Sequence, residues 1–332
     1  FRLITTGIVF LSGLFLVYKD FTFPQTFLLM LASFSLFTGA EAMGIFSIFS
    51  KMTQQSIDRM NQIKNIPKMH DLMCASNITP EELNQFDICF DHVNFAYSQT
   101  PVLQDVSFCV PEGTTTALVG LSGSGKTTVT NLVARSWDIM QGHGTISIGG
   151  KEIKTLFYEN LLKNISSVFQ DVFLFNDTML NNIRIGRPEA TVEEVQEAAR
   201  RAGCADFIEA MESSYDTVIG EAGSRLSGGE KQRISIARAI IKDAPIVLLD
   251  EVTANVDVEN ERMIQTALQE LLKNKTVIMI AHKLSTIRNA DQILVLENGT
   301  ISERGTHDEL IAQNGLYRRL WNIQYEAERW RM

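Results

Sequence analysis

The tract Gly120-Leu-Ser-Gly-Ser-Gly-Lys-Thr-Thr128 constrains this chain more than any other. It fits the phosphate-binding pattern G-x-x-x-x-G-K-[ST], which works only between a strand and a helix. The apolar run Thr116-Ala-Leu-Val119 supplies the strand, and a helix is expected from Lys126 to about Ser136. Gly123 and Gly125 let backbone N–H groups turn towards an anion with no Cβ in the way. The following helix points its positive end at the same place. In that setting Lys126 would contact the β- and γ-phosphates, and the Thr127 hydroxyl would hold Mg2+.

After residue 86, short apolar runs alternate with helical patterns, which predicts an α/β fold with a largely parallel sheet. A polar residue follows each run. Ser167-Val-Phe169 ends in Gln170, and Ile246-Val-Leu-Leu249 ends in Asp250 and Glu251. Val277-Ile-Met-Ile280 leads past Ala281 to His282. In open parallel sheets, ligands bind beyond the carboxyl ends of the strands. One edge is therefore expected to gather the phosphate loop, a Gln, two carboxylates and a His. Asp250 suits a magnesium-binding acid, and Glu251 could position and deprotonate an attacking water. Acid pairs at a strand end also serve as plain helix caps.

A second glycine-rich loop, Leu226-Ser-Gly-Gly-Glu230, precedes the helical pattern Lys231–Lys242. Ser227 and Glu230 read as a capping box. A helix N-terminus flanked by glycines is also an anion site, and both readings hold together.

The first fifty residues are mostly apolar. Residues 3–18 carry no charge, and residues 26–50 carry one, Glu41. A bilayer core takes about 20 helical residues, so two membrane helices are expected, the first slightly short. Between them, the Lys19–Gln25 tract is charged and holds Pro24. A signal peptide and a buried hairpin compete with this reading. Lys51, Arg59, Lys64 and Lys68 follow the second run, which puts the C-terminal bulk in the cytoplasm. Glu41 would face a cavity or a partner, or make a helix–helix hydrogen bond. Met52, Ile57, Met60, Ile63 and Ile66 carry the helical spacing on until about Pro67. A net charge of −9 and a pI near 5.2 argue against a nucleic-acid partner. Cys74, Cys89, Cys109 and Cys204 show no C-x-x-C spacing and are read as separate thiols.

With these residues in hand, the chain resembles the ATP-binding cassette (ABC) transporter family. Gly120–Thr128 match its Walker A, Leu226–Glu230 its signature, and Ile246–Asp250 its Walker B. Gln170 matches the Q-loop, Asp257 the D-loop and His282 the switch histidine. Tyr97, in Val-Asn-Phe-Ala-Tyr, matches the aromatic that stacks on adenine. The resemblance narrows to the type I exporter class, because a membrane segment precedes the cassette. Gln170–Phe175 and Val218–Arg225 look like the tracts of that class that meet intracellular membrane-domain helices.

The resemblance implies a P-loop NTPase cassette with a parallel-sheet core, an antiparallel β subdomain and a helical subdomain, preceded by two transmembrane α-helices. Its expected divisions are a membrane part over 1–67, a linker over 68–86, the cassette over 87–322 and a tail over 323–332. It implies ATP and Mg2+ as ligands. Tyr97, Gly120, Ser122, Gly123, Ser124, Gly125, Lys126, Thr127, Thr128, Gln170 and Asp250 would line one nucleotide, with the metal on Thr127, Gln170 and Asp250. Ser227, Gly228, Gly229, Glu230 and Asp257 would serve the nucleotide of a second half-transporter, in a homodimer or heterodimer. Lys126, Glu251 and His282 would be catalytic. The expected activity is ATP-driven transport across the cell membrane, most readily export, of an unidentified substrate. An exporter-fold importer and a soluble ABC ATPase are the alternatives. The class has six membrane helices, so the chain is read as a fragment holding the last two. Glu230 stands where many members have Gln. The tract Thr253–Asp257 departs from the usual D-loop, and Ala222 stands where an Arg is usual.

Overall fold

The computed structural model describes residues 2–18, 22–65, 83–250, 252, 258–280 and 284–329. Pro67, the linker stretch 68–82, Glu251, Asp257, His282 and the side chain of Glu41 lie outside the described residues. The chain divides into two compact units, Phe1–Met69 and His70–Met332.

The first unit is a pair of packed helices, α1 (Arg2–Val17) and α2 (Phe23–Lys64). The Thr22–Gln25 capping box starts α2, with Pro24 in its first turn, where a missing N–H costs nothing. α2 continues without a break through Lys51–Lys64, as the apolar spacing predicts. Its outer half exposes Met52, Met60 and Ile63.

Both helices fall where the apolar runs predict them, but their extent differs from the expected spans. Among the described residues, no helix is long and apolar enough to cross a membrane. α1 has 16 residues, which rise about 24 Å against a hydrocarbon core of about 30 Å. In α2, the apolar half runs straight into a charged, glutamine-rich half.

The second unit is built on two sheets. Its strands are β1 (Ile88–Ala96), β2 (Pro101–Val110), β3 (Thr115–Val119), β4 (Thr145–Ile148), β5 (Lys151–Glu152), β6 (Ile165–Val168), β7 (Ile246–Asp250), β8 (Thr276–Ile280), β9 (Gln292–Glu297) and β10 (Thr300–Gly305). Its helices are α3 (Lys126–Val133), α4 (Tyr158–Lys163), α5 (Met179–Arg184), α6 (Val192–Arg201), α7 (Ala205–Glu209), α8 (Gly228–Lys242), α9 (Val258–Leu271), α10 (His307–Gln313) and α11 (Leu316–Arg329).

The larger sheet runs β10-β9-β3-β8-β7-β6. Its pairs from β9 through β6 are all parallel, and β10 closes the edge antiparallel to β9. Parallel strands buried on both faces need continuous apolar runs, and Ile246-Val-Leu-Leu249 is such a run, wholly buried. Val129, Leu132 and Val133 of α3 share one core with Leu118, Leu248 and Ile280 and with the smaller sheet. Leu310 and Tyr317 of the last two helices join Ala117, Ile293 and Val295 in another. A third core gathers the helical lobe, α5 to α9, around Ile234, Ala237 and Ile241 of α8. Leu83 and Phe86, expected in the linker, pack against the core of the smaller sheet.

The smaller sheet is antiparallel, in the order β2-β1-β4-β5. Here one sequence reading is corrected. Cys89 and Cys109 are not separate thiols: they face each other across β1 and β2 and form a disulfide, with Cα atoms 4.2 Å apart. Spacing along the chain hides this pair, because strand register rather than sequence distance makes the two residues neighbours. Cys204 is free and buried.

Candidate nucleotide-binding site

The phosphate loop leaves β3 at the carboxyl edge of the larger sheet. Gly120 (φ 153°) passes close beneath the backbone of Leu296, where a Cβ would collide with the Leu296 carbonyl. Gly125 (φ 104°) caps α3 in a left-handed conformation, and a Cβ there would lie 2.6 Å from Leu103 Cδ2. Both positions demand glycine. The loop closes through Ser124 N–H donating to Leu121 O at 3.2 Å. Lys126 folds back over it and donates from Nζ to Gly120 O and Leu121 O, each at 2.9 Å. The Ser124 hydroxyl is buried and has no hydrogen-bond partner among the described residues. A concave loop holding a cation and an unsatisfied buried hydroxyl at a helix N-terminus fits a bound phosphate chain.

Strand order then assembles the other candidates. β8, β7 and β6 lie successively beside β3, all parallel to it, so their carboxyl ends share its edge. Leu118 pairs with Ile280, and Ile280 pairs with Asp250, so Asp250 stands two strands from the loop, about 10 Å away. Gln170 lies two residues beyond Val168 of β6 and is exposed. β3 is flanked by β9 and β8, which makes this edge the switch point where α/β sheets take ligands. Helix α3 is shorter than expected, ending at Val133 rather than near Ser136.

Tyr97 comes from the other sheet, just past the end of β1. Its hydroxyl shares a hydrogen bond of 3.2 Å with Thr128 Oγ1, either atom donating. An aromatic ring thus stands beside the phosphate loop, 43% exposed, although 31 residues separate Tyr97 from Thr128.

The second loop is a capping box, as its sequence predicts. The Ser227 N–H and hydroxyl donate to Glu230 Oε2 at 2.7 and 2.8 Å, and the Glu230 N–H donates back to Ser227 Oγ at 3.3 Å. Ser227 and Gly228 are exposed. Gly229 is buried, and a Cβ there would meet the Asn260 side chain. In α8, Gln232 is buried and donates from Nε2 to Phe169 O at 3.2 Å, tying this helix to the tract that holds Gln170.

Sequence reasoning missed a polar brace beneath that tract. Asn182 of α5 is fully buried. Its Oδ1 accepts from Phe175 N–H at 3.0 Å, and its Nδ2 donates to Phe175 O and Thr178 O, each at 3.0 Å. Arg238 of α8 donates from Nη2 to Asn182 Oδ1 at 2.8 Å, from Nε to Asn182 O and from Nη1 to Phe173 O, both at 2.6 Å. Burial pushes the Arg238 guanidinium down to about 10. The brace leaves Phe173 and Phe175 outside, 66% and 52% exposed. The available signal was an amide at an apolar position of a short helix.

This strand order, with a phosphate loop at the switch point, defines a P-loop nucleotide-binding cassette with an added antiparallel sheet and a helical lobe. Residues 103–254 match the family model described as ABC transporter. The chain belongs to the ABC transporter family.

Among relatives, it is 46% identical over 261 residues to a multidrug export ATP-binding/permease protein of Staphylococcus aureus, covering 78% of this chain and 45% of that protein. It is 48% identical over 242 residues to the ATP-dependent lipid A-core flippase of Salmonella paratyphi A, covering 72% and 41%. A solved bacterial Atm1-family ABC exporter with ATP bound superposes with a TM-score of 0.72 at 34% identity, over 97% of this chain and 56% of that one. The chain spans less than half the length of these curated relatives.

Proposed function

We propose that this chain is part of an ABC half-transporter of the exporter fold and couples ATP hydrolysis to export across a membrane. The observation that carries this reading is the phosphate loop, with Lys126 folded over it, on the same sheet edge as Asp250 and Gln170. Relatives named for multidrug export and for lipid A flipping support the direction of transport.

In this reading the loop N–H groups and Lys126 hold the triphosphate, and Tyr97 stacks on the adenine. Thr127, Gln170 and Asp250 would hold Mg2+, which neutralises charge between the β- and γ-phosphates. A hydroxyl, an amide oxygen and a carboxylate form the hard, all-oxygen donor set that this ion prefers. Among the described residues, no group of three His, Cys, Asp or Glu could hold a metal alone. Glu251 positions and deprotonates the attacking water, and His282 stabilises the transferring phosphoryl group. The work is positioning and charge stabilisation.

The exposed Ser227-Gly228 loop serves the nucleotide of a second half-transporter set head to tail, and Asp257 would serve that same nucleotide. Glu230 holds that loop in shape. ATP closes the pair and hydrolysis reopens it. The exposed ring pair Phe173 and Phe175, at 5.0 Å, suits contact with a membrane-domain helix. Phe10, Phe27, Leu28 and Phe46 of the first unit are more than half exposed, as helices that face lipid or further helices would be. The membrane reading of residues 1–67 rests on that exposure and on the relatives.

The test is Glu251→Gln in the full chain. It retains ATP binding and loses turnover. ATPase rates equal to wild type would refute the assignment of the base.

A further inference from the structure

The phosphate loop is held by its own backbone, but the aromatic beside it is not. The β1–β2 ladder ends at the pair Ala96–Pro101, so Tyr97 lies beyond the last register pair. Its ring is fixed by side chains. One end is held by Thr128. Phe95 meets the ring at 5.0 Å with the planes 89° apart. Trp137 meets it at 5.0 Å with the planes 82° apart, the edge-to-face geometry that aromatic quadrupoles favour.

Trp137 is 48% exposed, yet its frame is locked. Arg135, fully buried with φ 50°, donates from Nε to Asp138 Oδ1 at 2.9 Å and from Nη1 to Ile153 O and Leu156 O at 3.4 and 3.2 Å. This clamp brackets Ser136 and Trp137 immediately after α3. The helix that begins at Lys126 therefore ends in a rigid corner that carries an exposed indole against Tyr97. An exposed large aromatic on a buried, hydrogen-bonded frame is a costly way to cover one neighbouring ring.

We propose that Trp137 is a positioning residue for the base. It holds the Tyr97 ring ready to stack on a purine, at a distance from the phosphate loop that α3 sets. The inference rests on the reading of Tyr97 as the base-stacking residue. It makes purine recognition a property of the Tyr97–Trp137 pair.

The experiment is calorimetric titration of the full chain with ATP and with inorganic triphosphate, for wild type, Trp137→Ala, Trp137→Phe and Tyr97→Ala. Trp137→Ala weakens ATP binding about threefold to tenfold, the range of one aromatic pair, and leaves triphosphate binding unchanged. Trp137→Phe keeps an aromatic edge and returns ATP binding to within about twofold of wild type. Equal weakening for ATP and triphosphate would mean a general structural role and overturn the proposal. So would unchanged ATP binding in Trp137→Ala when Tyr97→Ala is weakened. If Tyr97→Ala itself binds ATP like wild type, the base-stacking reading fails and this inference with it.

Discussion

Replacing Asn182 by Leu keeps the number and branching of side-chain heavy atoms and removes every hydrogen bond of the Asn182 side chain, leaving Arg238 its bonds to Asn182 O and Phe173 O. The neutral bonds go to Phe175 N–H, Phe175 O and Thr178 O, with a longer shared branch from Nδ2 to Asp177 O at 3.4 Å, and one more bond is to the Arg238 guanidinium. Neutral bonds contribute about 0.5–1.5 kcal/mol each net, and a charged one about 1.5–3 kcal/mol, so the gross loss is about 3–7 kcal/mol. Phe175 lies on an exposed loop, and its freed backbone groups can recover water, which leaves about 3 kcal/mol. For a unit of this size that lowers Tm by about 6–12 °C. The assay is denaturant or thermal unfolding of the full chain. A double-mutant cycle with Arg238→Leu should then show coupling of about 1 kcal/mol or more, because the two side chains share one network. A destabilisation under about 1 kcal/mol, or additive single effects, would refute the view that this amide and this guanidinium hold the loop as a unit.

Ser227→Arg, mixed in a dimer with an unmodified copy, should abolish hydrolysis at the site built with the partner's phosphate loop. Loss at the variant's own Lys126 site instead would contradict the head-to-tail arrangement. Cys109→Ser opens a cross-link of 20 residues' separation and should lower the stability of the non-reduced chain by about 3 kcal/mol. Peptide mapping under non-reducing conditions that finds both thiols free would remove the basis for this. The Asp105 hydrogen bond, then the Asp105 charge, then Asp91 hold the His92 imidazolium above the usual histidine range. Its contribution is therefore complete below about pH 6.5 and is lost as pH rises through the higher folded value. Asp105→Asn should bring the His92 NMR titration back towards 6.5, and an unchanged midpoint would exclude the pairing.

The larger sheet was legible because its strands are short, buried on both faces and therefore written as continuous apolar runs. Thr116–Val119 and Val277–Ile280 fall inside β3 and β8, and Asp250 ends β7 beside Ile280 at the edge they share. The capping box at Ser227 was legible for a local reason: its partners lie three residues apart. What escaped was whatever depends on register between distant segments. Cys89 and Cys109 meet only because two strands pair in one register. The Asn182–Arg238 brace joins positions 56 residues apart. In β1 and β2, His92 and Asp105 take positive φ at irregularities that no apolar pattern encodes.

The bond from Gln232 to Phe169 O has a mechanical consequence. Helix α8 starts at the Ser227–Gly228 loop, proposed to serve the partner's nucleotide, and one turn later it grips the tract that holds Gln170. A rigid rod thus spans two addresses. On the proposed head-to-tail reading, a shift of Gln170 would reach α8, and with it the Ser227 loop, through this single carbonyl. Two such rods in the proposed head-to-tail pair would form a closed ring of levers. In that arrangement the two sites would be geared to each other without direct contact.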